Sequence, residues 1–315
     1  MSVSTRRVSL GVLLLATTLP AAGQSLDSAI SGANLGPGYA QLLNLTSAPD
    51  ISTAHYKVRT EPDDLYIQVG RLTHEERWRA LSENVDLFWR GGGGYSRMRA
   101  KFPTGTPSTG AGLVDSTWWA VGLTAGLLAK VRLDDEFTLL PAFDVGVARL
   151  ENHTKYSGSA TSLQPFLDGR LFGWGADATL LTPNIGLEWL RKHDDRVTTV
   201  RLHAAWSRIA TYGEADPALK FREGGGVMSI RGEHVAPTTL RVMERPLRWV
   251  VFGGHSSFFG PNRAVLGFPS VSEFGLGLEL PLMAGDAASK RVRFAGSYLV
   301  GPNVHGWSVA LSMQY

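Results

Sequence analysis

The sequence predicts an all-β protein, an antiparallel transmembrane β-barrel of about twelve strands. Three observations carry that prediction. The last nine residues alternate without a break, with Trp307, Val309, Leu311, Met313 and Tyr315 on the face of a strand expected to meet lipid and Ser308, Ala310, Ser312 and Gln314 on the face expected to meet a wet lumen. The same period of two recurs in longer segments through the middle of the chain. Beyond the first 20 residues, no apolar run approaches the ~20 residues a membrane helix needs, so only a closed barrel remains for crossing a bilayer.

The N-terminus reads as a secretory signal peptide over residues 1–23. Arg6 and Arg7 precede the apolar run Val8 to Leu19, and Pro20-Ala21-Ala22-Gly23 supplies small residues for cleavage after Gly23. The run is too short for a membrane anchor. The chain has 0 Cys, which excludes a lipoprotein anchor, thiolate chemistry and cysteine-ligated metals. Losing Arg6 and Arg7 from 31 Lys+Arg leaves 29 against 28 Asp+Glu, a near-neutral mature chain that gives no case for a nucleic-acid partner.

The polar residues 24–52 read as a periplasmic or luminal N-terminal segment, and the barrel is expected over residues 53–315. Runs 53–60 and 65–72 flank the turn sequence Glu61-Pro62-Asp63-Asp64 and form a first hairpin. Thr73 to Ser82, with Glu75, Glu76, Arg77 and Arg79, reads as a polar connector with a helical turn. A third strand over 83–100 is interrupted at Gly91 to Gly94. Residues 117–133 place Trp119, Val121, Leu123, Ala125, Leu127, Ala129, Val131 and Leu133 on one face. Thr124, Gly126, Lys130 and Arg132 lie on the other. After Asp134-Asp135-Glu136 the chain returns with Phe143, Val145 and Val147 outward and Asp144, Gly146 and Ala148 inward.

Strands then follow at 176–190, 196–209, 227–242, 246–258, 272–282, 291–300 and 306–315. The segment 227–242 has mixed faces and the weakest pattern. Residues 164–173 leave room for an additional hairpin, so counts of ten, twelve or fourteen stay open. With the C-terminus in the periplasm, the connections at 101–116, 151–175, 210–226 and 259–271 fall outside and are long. Those at 134–136, 191–195, 243–246 and 283–290 fall inside and are mostly short, the asymmetry of outer-membrane barrels.

The signal peptide, the lead-in, the strand count and the pattern from Trp307 to Tyr315 together resemble the translocator barrel of autotransporters. In the absence of a passenger, the resemblance is to the family of solitary outer-membrane autotransporter-like β-barrels, and it spans residues 53–315. It implies an integral protein of the bacterial outer membrane in contact with its lipids. It also implies that the barrel-assembly machinery reads Trp307, Val309, Leu311, Met313 and Tyr315. The family brings no established chemistry and no cofactor. Self-cleaving autotransporters need an Asn-Asn pair in the linker, whereas this chain has the single Asn34 and Asn44.

Asp144, Glu188, Arg201, His203, Arg248, Glu279 and Arg293 fall on the inward parity. Opposed charges of this kind order polar solutes in an open pore and neutralise one another in a closed one; the limited width of such a barrel favours the second. On β-strand parity His255 and Ser257 face outward near the outer leaflet. A His-x-Ser pair there is similar to that of lipid A deacylases, where serine attacks an acyl ester and histidine is the general base. The nearest acid, Glu273, falls on the opposite face, so the orienting carboxylate is missing. His153, His193, His234 and His305 lack metal-ligand spacing. The expected function is a non-enzymatic barrel, a narrow passive channel or an envelope structural protein. The alternatives are an outer-leaflet lipid acyl-ester hydrolase, or an adhesin working through the long loops 151–175 and 210–226.

Overall fold

A computed structural model describes residues 53–59, 64–105, 110–169, 172–213, 220–242, 245–260, 268–281 and 291–314. The expected signal peptide (1–23), the segment 24–52 and Tyr315 lie outside the described residues. The strands are β1 (Thr53–Val58), β2 (Leu65–Ser82), β3 (Val85–Thr104), β4 (Gly112–Arg132), β5 (Phe137–Gly158), β6 (Gly175–His193), β7 (Arg196–Tyr212), β8 (Arg222–Val242), β9 (Arg245–Phe259), β10 (Ser270–Pro281), β11 (Arg291–Gly301) and β12 (Val304–Gln314). Each pairs antiparallel with its sequence neighbours, and β1 pairs with β12 to close the barrel. No described helix is long and apolar enough to cross a membrane.

Exposure assigns the two faces. Leu123, Leu276 and Leu311 are 63%, 67% and 69% exposed, whereas on the opposite parity Ile67 and Ile209 are 0% exposed. The exposed parity is therefore the outer wall, an apolar belt built from residues such as Val121, Val145, Ile185, Phe274 and Phe294. Aromatic rings flank it: Trp119, Trp206, Tyr298 and Trp307 toward the long connections, and Trp89, Phe137, Trp189 and Trp249 toward the short turns. Such a band between girdles is the outer surface that a lipid bilayer requires.

The structure corrects four expectations. Thr73 to Ser82 is not a connector but the second half of β2, paired with β3 from His74↔Gly91 to Ser82↔Val85. Register shifts between Arg77 and Arg79 and between Ala80 and Ser82 break the period of two, which hides the strand from a parity reading. Gly91 to Gly94 do not interrupt β3, which runs through them in register with Arg71 to His74 and with Gly122 to Ala125. These glycines leave the wall bare, and close by a Cβ at Gly70 would collide with the Tyr95 ring that lies over it. Among the described residues of 164–173 there is no added hairpin: a 3₁₀ turn (Ser159–Leu163) leads into the one-turn helix α1 (Gln164–Leu167). The inner face of β12 does not meet a wet lumen either. Ser308 is buried and donates to the Thr53 carbonyl, and Ala310 packs against Val235, Val250, Phe252 and Ala295.

The turn expectations at the other end hold. Asp134 Oδ1 accepts from the backbone N–H of Glu136 (2.8 Å) and Phe137 (2.7 Å), and Asp194 takes a left-handed φ of 51°, which aspartate tolerates.

Candidate functional site

The lumen lining changes along the barrel from packed apolar side chains to a mixture of charges and one small apolar cluster, Val235, Val250, Phe252 and Ala295. At the long-connection end it is apolar and packed. One buried cluster joins Phe102, Val114, Trp118, Ala120, Ala148, Leu150, Ala176, Ala178, Leu180 and Ile209 with Phe172 and Trp174 from the β5–β6 connection. A second joins Ala54, Tyr56, Val58, Leu65, Ile67, Val69, Phe258, Val271, Leu299 and Val304 with Phe268. Met98 and Ala100 of β3 pack against both, and Val227 brings β8 into the second. All twelve strands thus send inward side chains into this layer.

The β5–β6 connection is strapped down by Asn152, which is 1% exposed. Its Oδ1 accepts the Gly173 N–H (2.8 Å), its own backbone N–H donates to the Trp174 carbonyl (2.8 Å), and its Nδ2 donates to Ser116 Oγ (2.7 Å). Phe172 then contacts Phe102, Trp118 and Tyr156 with ring centroids 6.2 to 6.5 Å apart.

Toward the short turns the lumen is lined by charges, and the inward residues read from parity come together in pairs. Arg90 Nε donates to Asp144 Oδ1 (2.6 Å), and Asn184 Nδ2 donates to the other carboxylate oxygen (3.0 Å). Arg201 Nε donates to Glu188 Oε2 (3.1 Å), two residues along β7 from the inward His203. The densest group centres on Glu279, a fully buried carboxylate held by Arg248 (3.1 Å), Arg291 (3.2 Å) and Arg293 (2.7 Å). Arg293 also donates to Glu233 (2.7 Å), and Arg231 pairs with Glu273 (2.7 Å).

Sequence reasoning missed Arg90, Arg231, Glu233, Glu273 and Arg291 as members of these groups. Arg90 precedes the glycine run read as an interruption. Arg231 and Glu233 sit on β8, whose inner face mixes Val227 and Val235 with them, so its alternation looked poor. In the register, Glu279 lies opposite both Arg248 and Arg293, a pairing visible once the strands are aligned.

On the outer wall, His255 and Ser257 lie side by side. His255 Nε2 lies 3.1 Å from Ser257 Oγ, and its Nδ1 lies 2.9 Å from Ser272 Oγ. The group orienting the imidazole is thus a hydroxyl, not a carboxylate. Glu273 faces the lumen, where it also accepts from Ser297 Oγ (2.6 Å). Among the described residues no group of three His, Asp or Glu side chains is placed to hold a metal ion.

With this geometry in view, comparison with known proteins gives the following. Residues 93–236, from the glycine run of β3 to β8, match the family model of the solitary outer membrane autotransporter β-barrel domain. The translocator domain of the autotransporter NalP from Neisseria meningitidis superposes with a TM-score of 0.53 at 12% identity, covering 92% of this chain and 97% of that one. The transport unit of the autotransporter AIDA-I from Escherichia coli gives 0.50 at 9% identity, covering 90% and 98%. At such identities the likeness concerns the fold. No curated protein matches the chain.

Proposed function

We propose, for a chain that is an integral outer-membrane β-barrel of autotransporter-like architecture, that it is a closed, non-enzymatic barrel acting as a structural component of the envelope. The observation that supports this reading is the apolar layer to which all twelve strands and two connections contribute. Ions and polar solutes need a continuous wet path, and a layer of close-packed Phe, Trp, Leu and Ile has no partner for the water they would carry. The charges below it then neutralise one another within the wall and do not select a solute. In this account the signal peptide over 1–23 exports the chain, and residues Trp307, Val309, Leu311, Met313 and Tyr315 engage the assembly machinery. A liposome-swelling assay tests the closed lumen: vesicles carrying the protein are expected to admit small sugars no faster than protein-free vesicles, and swelling at a porin-like rate would overturn the reading.

A second reading rests on one observation, the Ser257–His255–Ser272 relay on the lipid-facing wall. With Nδ1–H donating to Ser272, Nε2 of His255 is the tautomer that accepts the Ser257 proton. Ser257 Oγ would attack an acyl-ester carbonyl, His255 would pass that proton to the departing alkoxide, and water would release the fatty acid from the acyl-serine. The hydroxyl at Nδ1 stabilises the imidazolium less than a carboxylate does, which is why this reading stands second. It predicts fatty-acid release from phospholipid vesicles by the wild type, reduced to background in Ser257→Ala and His255→Ala. Absence of release by the wild type removes it.

A further inference from the structure

A concavity of about 860 Å³ lies on the outer wall across β3, β4 and β5, and Asp168, Gly173 and Trp174 of the β5–β6 connection contribute to its rim. Three neighbouring strands change character there, β5 one outward position lower in the register than β3 and β4. Tyr95, Val121 and Val147 are exposed and apolar; the next outward positions toward the long connections are Arg97, Trp119 and Arg149. The ladder sets these in register, with Arg97 opposite Trp119, Trp119 opposite Glu151 and Val121 opposite Arg149. Arg99 and Lys155 follow one step further out.

The cations of this groove are held in place before any ligand arrives. The Arg97 guanidinium stacks on the Trp119 ring at 4.9 Å, which leaves its in-plane N–H donors for an anion. Arg99 is fixed by Asp115 (2.6 Å), and Arg149 by Glu151 (3.2 Å) and Asp177 (3.1 Å). Arginine forks match phosphate oxygens, and here a phosphate would share the Arg99 fork with Asp115 and the Arg149 fork with Glu151 and Asp177. An apolar wall directly below a groove where Arg97, Arg99, Arg149 and Lys155 stand beside Asp115, Glu151 and Asp168 fits a molecule with acyl chains below and a phosphorylated, hydroxyl-bearing head above.

We infer that this groove binds the phosphorylated headgroup of a glycolipid in the outer leaflet, with its acyl chains along Val121, Leu123, Val145 and Val147. Thr117, His153 and Glu151 line the same groove and supply donors and acceptors for sugar hydroxyls. The inference rests on the outer-membrane location and on neither reading of the lumen or of the relay. Because the head lies beyond Trp119, toward the long connections, the occupant belongs to the outer leaflet and not to the inner one.

Native mass spectrometry of the full mature protein in detergent tests this, with bis-phosphorylated lipid A, the same lipid stripped of phosphate, and inorganic phosphate as probes. The variants are R97Q/R149Q, and R208Q, an outward arginine on β7, as control. Bis-phosphorylated lipid A is expected to stay bound to the wild type and to R208Q. Its affinity should fall about tenfold or more in R97Q/R149Q, as expected for losing two charge-assisted hydrogen-bond donors. Equal binding by all three proteins, or equal binding of the dephosphorylated lipid, would overturn the site. Full competition by millimolar inorganic phosphate would overturn the lipid assignment in favour of free phosphate. A heat-modifiable gel shift of each variant establishes that the barrel is folded, so that lost binding reports on the site.

Discussion

Replacing Glu279 with glutamine is expected to lower barrel stability by about 3–5 kcal/mol, because it leaves buried arginines without their counter-charge. Glu279 is 0% exposed, and the guanidinium groups of Arg248, Arg291 and Arg293 all reach it. With the carboxylate intact, one negative charge is shared among three positive ones, and Glu233 supplies a second through Arg293. Glutamine preserves the shape but accepts only neutral hydrogen bonds. The repulsion between the three cations then persists in a wall away from water. The measurement is the urea midpoint of the refolded barrel, followed by tryptophan fluorescence. A companion E279Q/R248M should recover much of the loss, since Arg248 is a buried cation whose ion pair the first change removes, whereas Arg293 keeps Glu233. A midpoint for E279Q within error of the wild type would show that the group contributes nothing to stability.

The second large effect concerns the apolar layer. The double variant F172A/W174A is expected to conduct ions where the wild type does not. Both rings enter the lumen from a connection and not from the wall, so their removal empties space without breaking a ladder hydrogen bond between strands. Each truncation costs about 3–5 kcal/mol in a packed core, yet the strand pairing that closes the barrel is left whole. The vacated volume adjoins Phe102 and Trp118, which lose the ring packed against them. Steady current steps in planar bilayers from the variant alone would assign the closure to this connection. A silent variant with an intact gel shift would show that the wall residues close the lumen unaided.

Much of this architecture was legible in the sequence because a bilayer imposes a strict rule on every second residue. Where lipid meets the wall, as at Val121 to Leu127 or Phe274 to Leu278, parity alone assigned the faces. The rule fails where its cause is absent. The second half of β2 carries Glu75, Glu76, Arg77 and Arg79 and contains register shifts, so no alternation marks it. Glycines at 91–94 carry no side chain to read. The inward charges were also legible, yet their partners were not, since Arg90 and Asp144 are 54 residues apart and meet only through the ladder. The apolar filling of the lumen was the least visible feature. Phe172, Trp174 and Phe268 lie in connections, where a hydrophobic residue has no period to declare which side of the wall it will take.

The groove on β3 to β5 shows the same limit. Arg97 and Arg99 lie on β3 and Arg149 on β5, and no pattern within either segment brings them together. The groove they share appears only when register aligns the strands, and Trp119 stands at the edge of the apolar belt. A basic outward row just beyond an aromatic girdle is therefore a feature of the assembled sheet, not of any one segment.

The central claim is that the lumen is closed at its long-connection end by packed apolar side chains. Single-channel recording of the refolded mature protein in a planar bilayer tests it most directly, at high salt and across both signs of voltage. A silent membrane, with the F172A/W174A variant conducting under the same conditions, is the predicted result. Steady, reproducible conductance steps from the wild-type barrel would contradict it, because ions would then be passing through a layer that this account describes as dry.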